Sequence, residues 1–136
     1  MRVLAVDPGT KRVGVAVSDP SGTIAQALAT VPAEPHDTLA YRLAGIARER
    51  EAGRIVVGLP RRMDGSEGPE AKSARALAEA LRHAAKVPVE LVDERLTTVA
   101  AERSMIDAGA RRSKRRETVD QIAATLLLQS HLDRKR

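Results

Sequence analysis

Apolar residues along this chain first run in short unbroken blocks and later recur at helical spacing. Residues 2–7 (RVLAVD) are apolar on both sides of the pleat, as in a strand buried in the middle of a sheet. Pro8 and Gly9 supply a turn, and 13–17 (VGVAV) predicts a second strand that forms a hairpin with the first. Asp19-Pro20-Ser21-Gly22 is another turn, and 23–31 predicts a third strand. Beyond Pro32 and Pro35 the period changes. Leu39, Leu43, Ile46 and Ala47 predict a helix over 37–51, and 54–58 (RIVVG) a short buried strand. A loop rich in glycine, proline and charge covers 59–69, and Ala74, Leu77, Ala78 and Leu81 mark one face of a second helix. The last strand is expected at 87–93. A third helix is expected over 97–108, stopped by Gly109 as C-terminal cap. The final helix is expected from about Thr118 to Leu132, with Ile122, Ala123, Leu126 and Leu127 facing inward.

The order β-β-β-α-β-α-β-α-α predicts an α/β fold. Three antiparallel strands followed by βαβ crossovers make a mixed five-stranded sheet flanked by helices. With 136 residues, one domain spanning 1–136 has enough chain for a single core, whereas two would each be too small.

Composition narrows the chemistry. There is no cysteine, so disulfides and thiolate zinc sites are excluded. His36, His83 and His131 show no ligand spacing. No apolar run approaches the roughly 20 residues that span a bilayer, and the amino terminus enters a strand without a signal-peptide layout. The expectation is a cytoplasmic protein with no membrane partner. Lys plus Arg exceed Asp plus Glu by 23 to 18, which favours a polyanionic partner. Arg111, Arg112, Lys114, Arg115 and Arg116 crowd into one basic loop before the last helix. Tyr41 is the sole aromatic residue, so bases cannot be held by stacking on side chains. A nucleic acid would be gripped by phosphate and shape.

Acidic residues stand where a core is expected. Asp7 closes one apolar strand, and Asp93 with Glu94 closes another. The carboxyl ends of parallel strands form the crevice in which open α/β sheets bind ligands. Two acids brought together there repel unless a cation lies between them. Asp120 is followed at +3, +4 and +7 by Ala123, Ala124 and Leu127, so it heads a stripe directed at the protein. As a first-turn acid with Thr118 as N-cap it would suit the helix dipole, but that does not account for its inward direction. Carboxylates without histidine or cysteine suit hard ions, Mg²⁺ or Mn²⁺. Two such ions about 4 Å apart can activate water and stabilise a leaving oxygen in phosphodiester cleavage.

The segments DPGTKRVG at 7–14, VVGLP at 56–60, DERLTT at 93–98 and VDQIAATLLLQ at 119–129 resemble the YqgF (RuvX) family over nearly the whole chain. Its members are described as Holliday-junction-resolvase-like proteins and as nucleases for the 5′ end of pre-16S ribosomal RNA. The resemblance implies a ribonuclease H-like fold and catalytic carboxylates at Asp7, Glu94 and Asp120, with Asp93 beside Glu94 as a further metal ligand. Which of the two neighbours faces the crevice depends on register. Arg95 and Thr97 become candidates for substrate phosphate or for orienting the acids. Lys11, Arg12, Arg61 and Arg62 should rim the same crevice.

Two other functions compete. The Asp-x-Gly-Thr turn is similar to the phosphate turn of actin-like ATPases and sugar kinases, but those enclose nucleotide between two such domains. A binding module that has lost its chemistry is the other, and three retained acids, which would repel phosphate without a cation, argue against it. RNA precursor or branched DNA, and monomer or homodimer, stay open at the level of sequence.

Overall fold

Val3 to Val6 are buried whichever way they point, which makes β1 (Arg2–Pro8) a central strand. The computed structural model describes residues 1–96 and 112–135, with side chains except at 96 and 112–119. β2 (Arg12–Ser18) returns antiparallel to β1 and places Gly14 opposite Asp7. β3 (Ala25–Pro32) pairs with β2 as the sheet's edge. It begins at Ala25 rather than at 23 because Asp19 claims the preceding residues for a turn. The Asp19 carboxylate accepts the main-chain N–H groups of Thr23 and Ile24 at 2.7 and 2.8 Å, and the Ser21 hydroxyl.

After α1 (His36–Glu49), β4 (Ala52–Leu59) lies parallel to β1. α2 (Pro69–Ala85) opens on a proline at its first position, where the missing N–H has no helical partner to lose. β5 (Val89–Asp93) then adds parallel to β4. The order β3-β2-β1-β4-β5 is the mixed sheet that the sequence pattern predicts. A single 3₁₀ turn, Glu94–Leu96, follows β5 directly.

Alternation sorts the strand residues into two cores. Leu4, Val6, Val15, Ile55 and Val57 pack beneath α1 and α2, against Leu39, Leu43, Ala74 and Leu81. Val3, Ala5, Ala16, Val56 and Val92 face the other way and meet α3 (Arg112–Arg134) through Ala123, Ala124, Leu127, Leu128 and Leu132. The sheet is thus the middle of three layers. Gln129 fastens α3 to the edge strand by accepting the Ala25 N–H at 2.9 Å and donating to the Thr23 carbonyl at 3.0 Å.

α3 corrects two expectations. It starts at Arg112 and not near Thr118, because arginine and lysine extend a helix readily. The basic run from Arg112 to Arg116 therefore lies on helix, not loop, and Thr118 is inside the helix rather than its cap. The helix also faces the sheet with Ala123, Ala124, Leu127 and Leu128, while Ile122 and Leu126 are only half-buried. The helix expected over 97–108, with its Gly109 cap, lies outside the described residues. Among the described residues no helix is long and apolar enough to cross a membrane.

Candidate active site

The pleat sends Asp7 to the same side of β1 as Val3 and Ala5, toward α3, and it is 3% exposed. Its two lateral neighbours in the sheet carry no side chain. Gly14 is its partner on β2, and Gly58 on β4 lies one step past the Val6–Val57 pair. Glycine inside a strand commonly marks a close approach, and both glycines here admit one. A β-carbon at Gly58 would meet Glu94 Oε1 at 2.6 Å, Leu127 Cδ2 at 3.2 Å and Asp7 Oδ1 at 3.3 Å. The Asp7 and Glu94 oxygens can therefore be no farther apart than the two Gly58 distances together. A β-carbon at Gly14 would lie 2.7 Å from the carbonyl carbon of Asp120. α3 consequently rests its main chain on β2 at the level of Asp7.

Three acids distant in sequence reach one end of the sheet in this way. Asp7 and Glu94 converge over Gly58, and half-buried Asp120 arrives from the Gly14 side. Among the described residues no three acidic or histidine side chains stand close enough to ligate one ion together. The donor set at Asp7 and Glu94 is nonetheless carboxylate oxygen alone, the kind that suits hard divalent cations.

Asp93 takes a different course from its neighbour. Its Oδ1 accepts the main-chain N–H of Arg95 at 2.9 Å, and its Oδ2 meets Arg95 Nη2 at 2.9 Å and Arg61 Nη1 at 3.4 Å. The Arg95 guanidinium, foremost, holds the Asp93 carboxyl below its ordinary range. Of the two adjacent acids it is Glu94 that approaches Asp7. Arg61, expected on the rim of the crevice, and Arg95, a candidate for substrate phosphate or for orienting the acids, are each paired with acid here. Arg61 Nη2 lies 3.3 Å from Glu67 Oε2 as well. Lys11 and Arg62 are exposed, and Arg12 half-buried, on the segments that leave the carboxyl ends of β1 and β4. Arg112, Lys114, Arg115 and Arg116 belong to the first turns of α3. Arg111 and Thr97 lie outside the described residues.

A family model described as RuvX, Holliday junction resolvase, matches residues 1–134. The chain belongs to the RuvX family. Among curated relatives of this RuvX chain, one from Pelotomaculum thermopropionicum is 47% identical over 134 residues, covering 98% of this chain and 87% of its own length. Another, from Myxococcus xanthus, is 47% identical over 136 residues, covering 100% and 90%. Both bear the name "Putative pre-16S rRNA nuclease". Among solved structures, RuvC of Thermus thermophilus in complex with a Holliday junction substrate superposes with TM-score 0.63 at 16% identity, over 99% of this chain and 96% of that one. The fowlpox virus Holliday junction resolvase gives 0.58 at 14%, over 98% and 99%. At such identities the likeness is one of fold, the ribonuclease H-like fold of these nucleases. Phosphodiester hydrolysis is thus the class of chemistry the RuvX site has to account for.

Sequence reasoning did not single out Gly14 and Gly58. The signal available was a glycine within each of two otherwise apolar strands, VGVAV and RIVVG. It also missed a hollow of about 880 Å³ under the other layer, lined by Leu39, Tyr41, Leu77 and Ala84. Pro8 and Gly9 also line that hollow, but neither Asp7 nor Glu94 does.

Proposed function

We propose that this chain is a divalent-metal-dependent nuclease acting on structured nucleic acid, and that the 5′ end of pre-16S ribosomal RNA is its substrate. The observation that carries this reading is the convergence of Asp7 Oδ1 and Glu94 Oε1 over Gly58, at the carboxyl end of the parallel strands. Two carboxylates aimed at one point are an arrangement that a shared divalent cation suits. Asp7 and Glu94 would hold Mg²⁺ or Mn²⁺, and Asp120, which does not stand close enough to share that ion here, would be drawn in from α3 when the ion binds. Such an ion, when bound, activates water and neutralises charge at the phosphate.

The chain's own residues supply the rest. The two glycines let Glu94 and the main chain of α3 close onto the sheet beside Asp7, which is what brings the acids to one place. Lys11, Arg12 and Arg62, with the basic first turns of α3, attract phosphates on either side of the cut. These are backbone contacts, which position the strand without reading its sequence. The names of the curated relatives favour the ribosomal substrate. The family description favours a second reading, cleavage of four-way DNA junctions, for which a dimer would supply paired cuts.

The deciding experiment incubates purified protein with labelled pre-16S leader RNA and with a four-way DNA junction, in Mg²⁺, in Mn²⁺ and in EDTA. Metal-dependent cleavage of the leader is expected. It should fall in Asp7→Asn, Glu94→Gln and Asp120→Asn by more than the roughly hundredfold lost with a ligand's supporting hydrogen bond. Cleavage of the junction alone favours the second reading. No cleavage of either in any metal refutes both.

A further inference from the structure

Asp93 lies next to a catalytic candidate, yet its oxygens are spent on cations. Arg95 sets its Nε 3.3 Å from both carboxylate oxygens and its Nη2 2.9 Å from Oδ2. Arg61 approaches Oδ2 from the loop that follows β4. The pairing continues outward. Glu67 takes Arg61 Nη2 at 3.3 Å and the Arg75 fork at 2.7 Å on each oxygen. The ladder Arg95–Asp93–Arg61–Glu67–Arg75 alternates in sign, and Asp64 lies near enough to Arg95 to interact with its charge.

The ladder does not exhaust its arginines. A guanidinium has five N–H donors. Among the described residues, Arg95 spends Nε and Nη2 on Asp93 and keeps Nη1, while Arg61 Nε is buried without a hydrogen-bond partner. Both side chains are about a third exposed, 32% and 30%. A β-carbon at Gly65 would lie 3.4 Å from Arg95 Nη1, so the 60–68 loop passes Arg95 at ordinary contact distance.

We propose that Asp93 is a positioning residue and not a metal ligand, holding Arg61 and Arg95 side by side next to Glu94 as a two-guanidinium clamp for a backbone phosphate. This rests on the nuclease reading and names the part of the site that takes the strand. An ion seeking Asp93 would have to displace two arginines that already neutralise it. A phosphate instead finds the outer edge of Arg95, where Nη1 is uncommitted, with the Arg61 guanidinium held beside it, and planar guanidinium donors fixed in advance suit a phosphate.

The test uses the full chain and a fluorescein-labelled stem-loop RNA. In EDTA, Arg61→Gln and Arg95→Gln should each flatten the dependence of log Kd on log salt by about one unit, one phosphate contact apiece. In Mg²⁺, Asp93→Asn should lower kcat/KM by about 10–100-fold through misplaced contacts. Its half-saturating metal concentration should match wild type, whereas Glu94→Gln should raise it. Arg95→Lys should keep the salt slope and still cleave slowly, because the charge remains and the fork is lost. Thermal melting checks that the variants are folded, and the two glutamine variants test the clamp even if Asp93→Asn does not fold. Unchanged slopes in both, a metal requirement shifted in Asp93→Asn as in Glu94→Gln, or full activity of Arg95→Lys would each overturn the clamp. A wild-type protein that binds with the expected slopes yet cuts nothing would instead remove the nuclease reading and leave the clamp standing.

Discussion

Replacing Gly58 by alanine would place a methyl group 2.6 Å from Glu94 Oε1, against the 3.4 Å at which ordinary contact begins. The Glu94 carboxylate must then retreat by roughly 0.8 Å, close to the 1 Å misplacement that can lower a rate a hundredfold. The fold has little reason to object. The obstructing atom is the far end of a flexible side chain, and Gly58 has no positive φ, unlike Gly22 and Gly65. Alanine in an ordinary strand conformation gains about 0.4–1 kcal/mol by restricting the unfolded chain, which offsets the tighter contact with Leu127. Unfolding free energy should therefore stay within about 1 kcal/mol of wild type. Cleavage should fall about 10–100-fold, which is about 1.4–2.7 kcal/mol of barrier. Single-turnover cleavage of the leader RNA, paired with urea denaturation, separates the two effects. A folded Gly58→Ala protein that cuts at the wild-type rate would refute the view that Glu94 acts from above Gly58.

Gly14→Ala should behave in the opposite sense. The obstruction there is the Asp120 carbonyl, its carbon at 2.7 Å, so α3 must shift and stability should fall by about 1–3 kcal/mol; an unmoved urea midpoint contradicts this. Burial holds the His131 imidazole below its ordinary value, with Glu90 opposing. The unfolded chain then takes up that proton first on acidification. Stability should be level above about pH 6.5 and decline below it, and His131→Gln should remove this limb of the urea midpoint–pH curve. A midpoint constant from about pH 7.5 to 5 in wild type runs against it. Replacing Arg111, Arg112, Lys114, Arg115 and Arg116 by glutamine should flatten the salt slope of RNA binding by up to roughly 4–5 units. An unchanged slope would reduce that run to a solvated surface.

Strands were legible in this sequence wherever burial on both faces imposed an unbroken apolar run, and β1, β2 and β4 lie where RVLAVD, VGVAV and RIVVG predict. The stripe from Asp120 through Ala123, Ala124 and Leu127 identified the buried side of α3 better than Ile122 and Leu126 did, since small residues are what a close helix–sheet contact admits. The start of α3 was not legible. A run of arginine and lysine has no apolar period, although nothing in it resists helix. The choice between Asp93 and Glu94 was hidden for another reason. β5 ends at Asp93 and the chain turns at once into a 3₁₀ turn, so strand alternation no longer says where Glu94 points. The arginine partners of Asp93 come from a loop and a turn, whose path no local pattern encodes.

The sheet face that carries Asp7 is covered, among the described residues, by α3, which follows all five strands in the chain. A growing chain thus exposes Val3, Ala5, Ala16, Val56 and Val92 until the segment around Leu127 and Leu128 has been made. On the nuclease reading, hydrolytic competence and the sealing of that face arrive in one event.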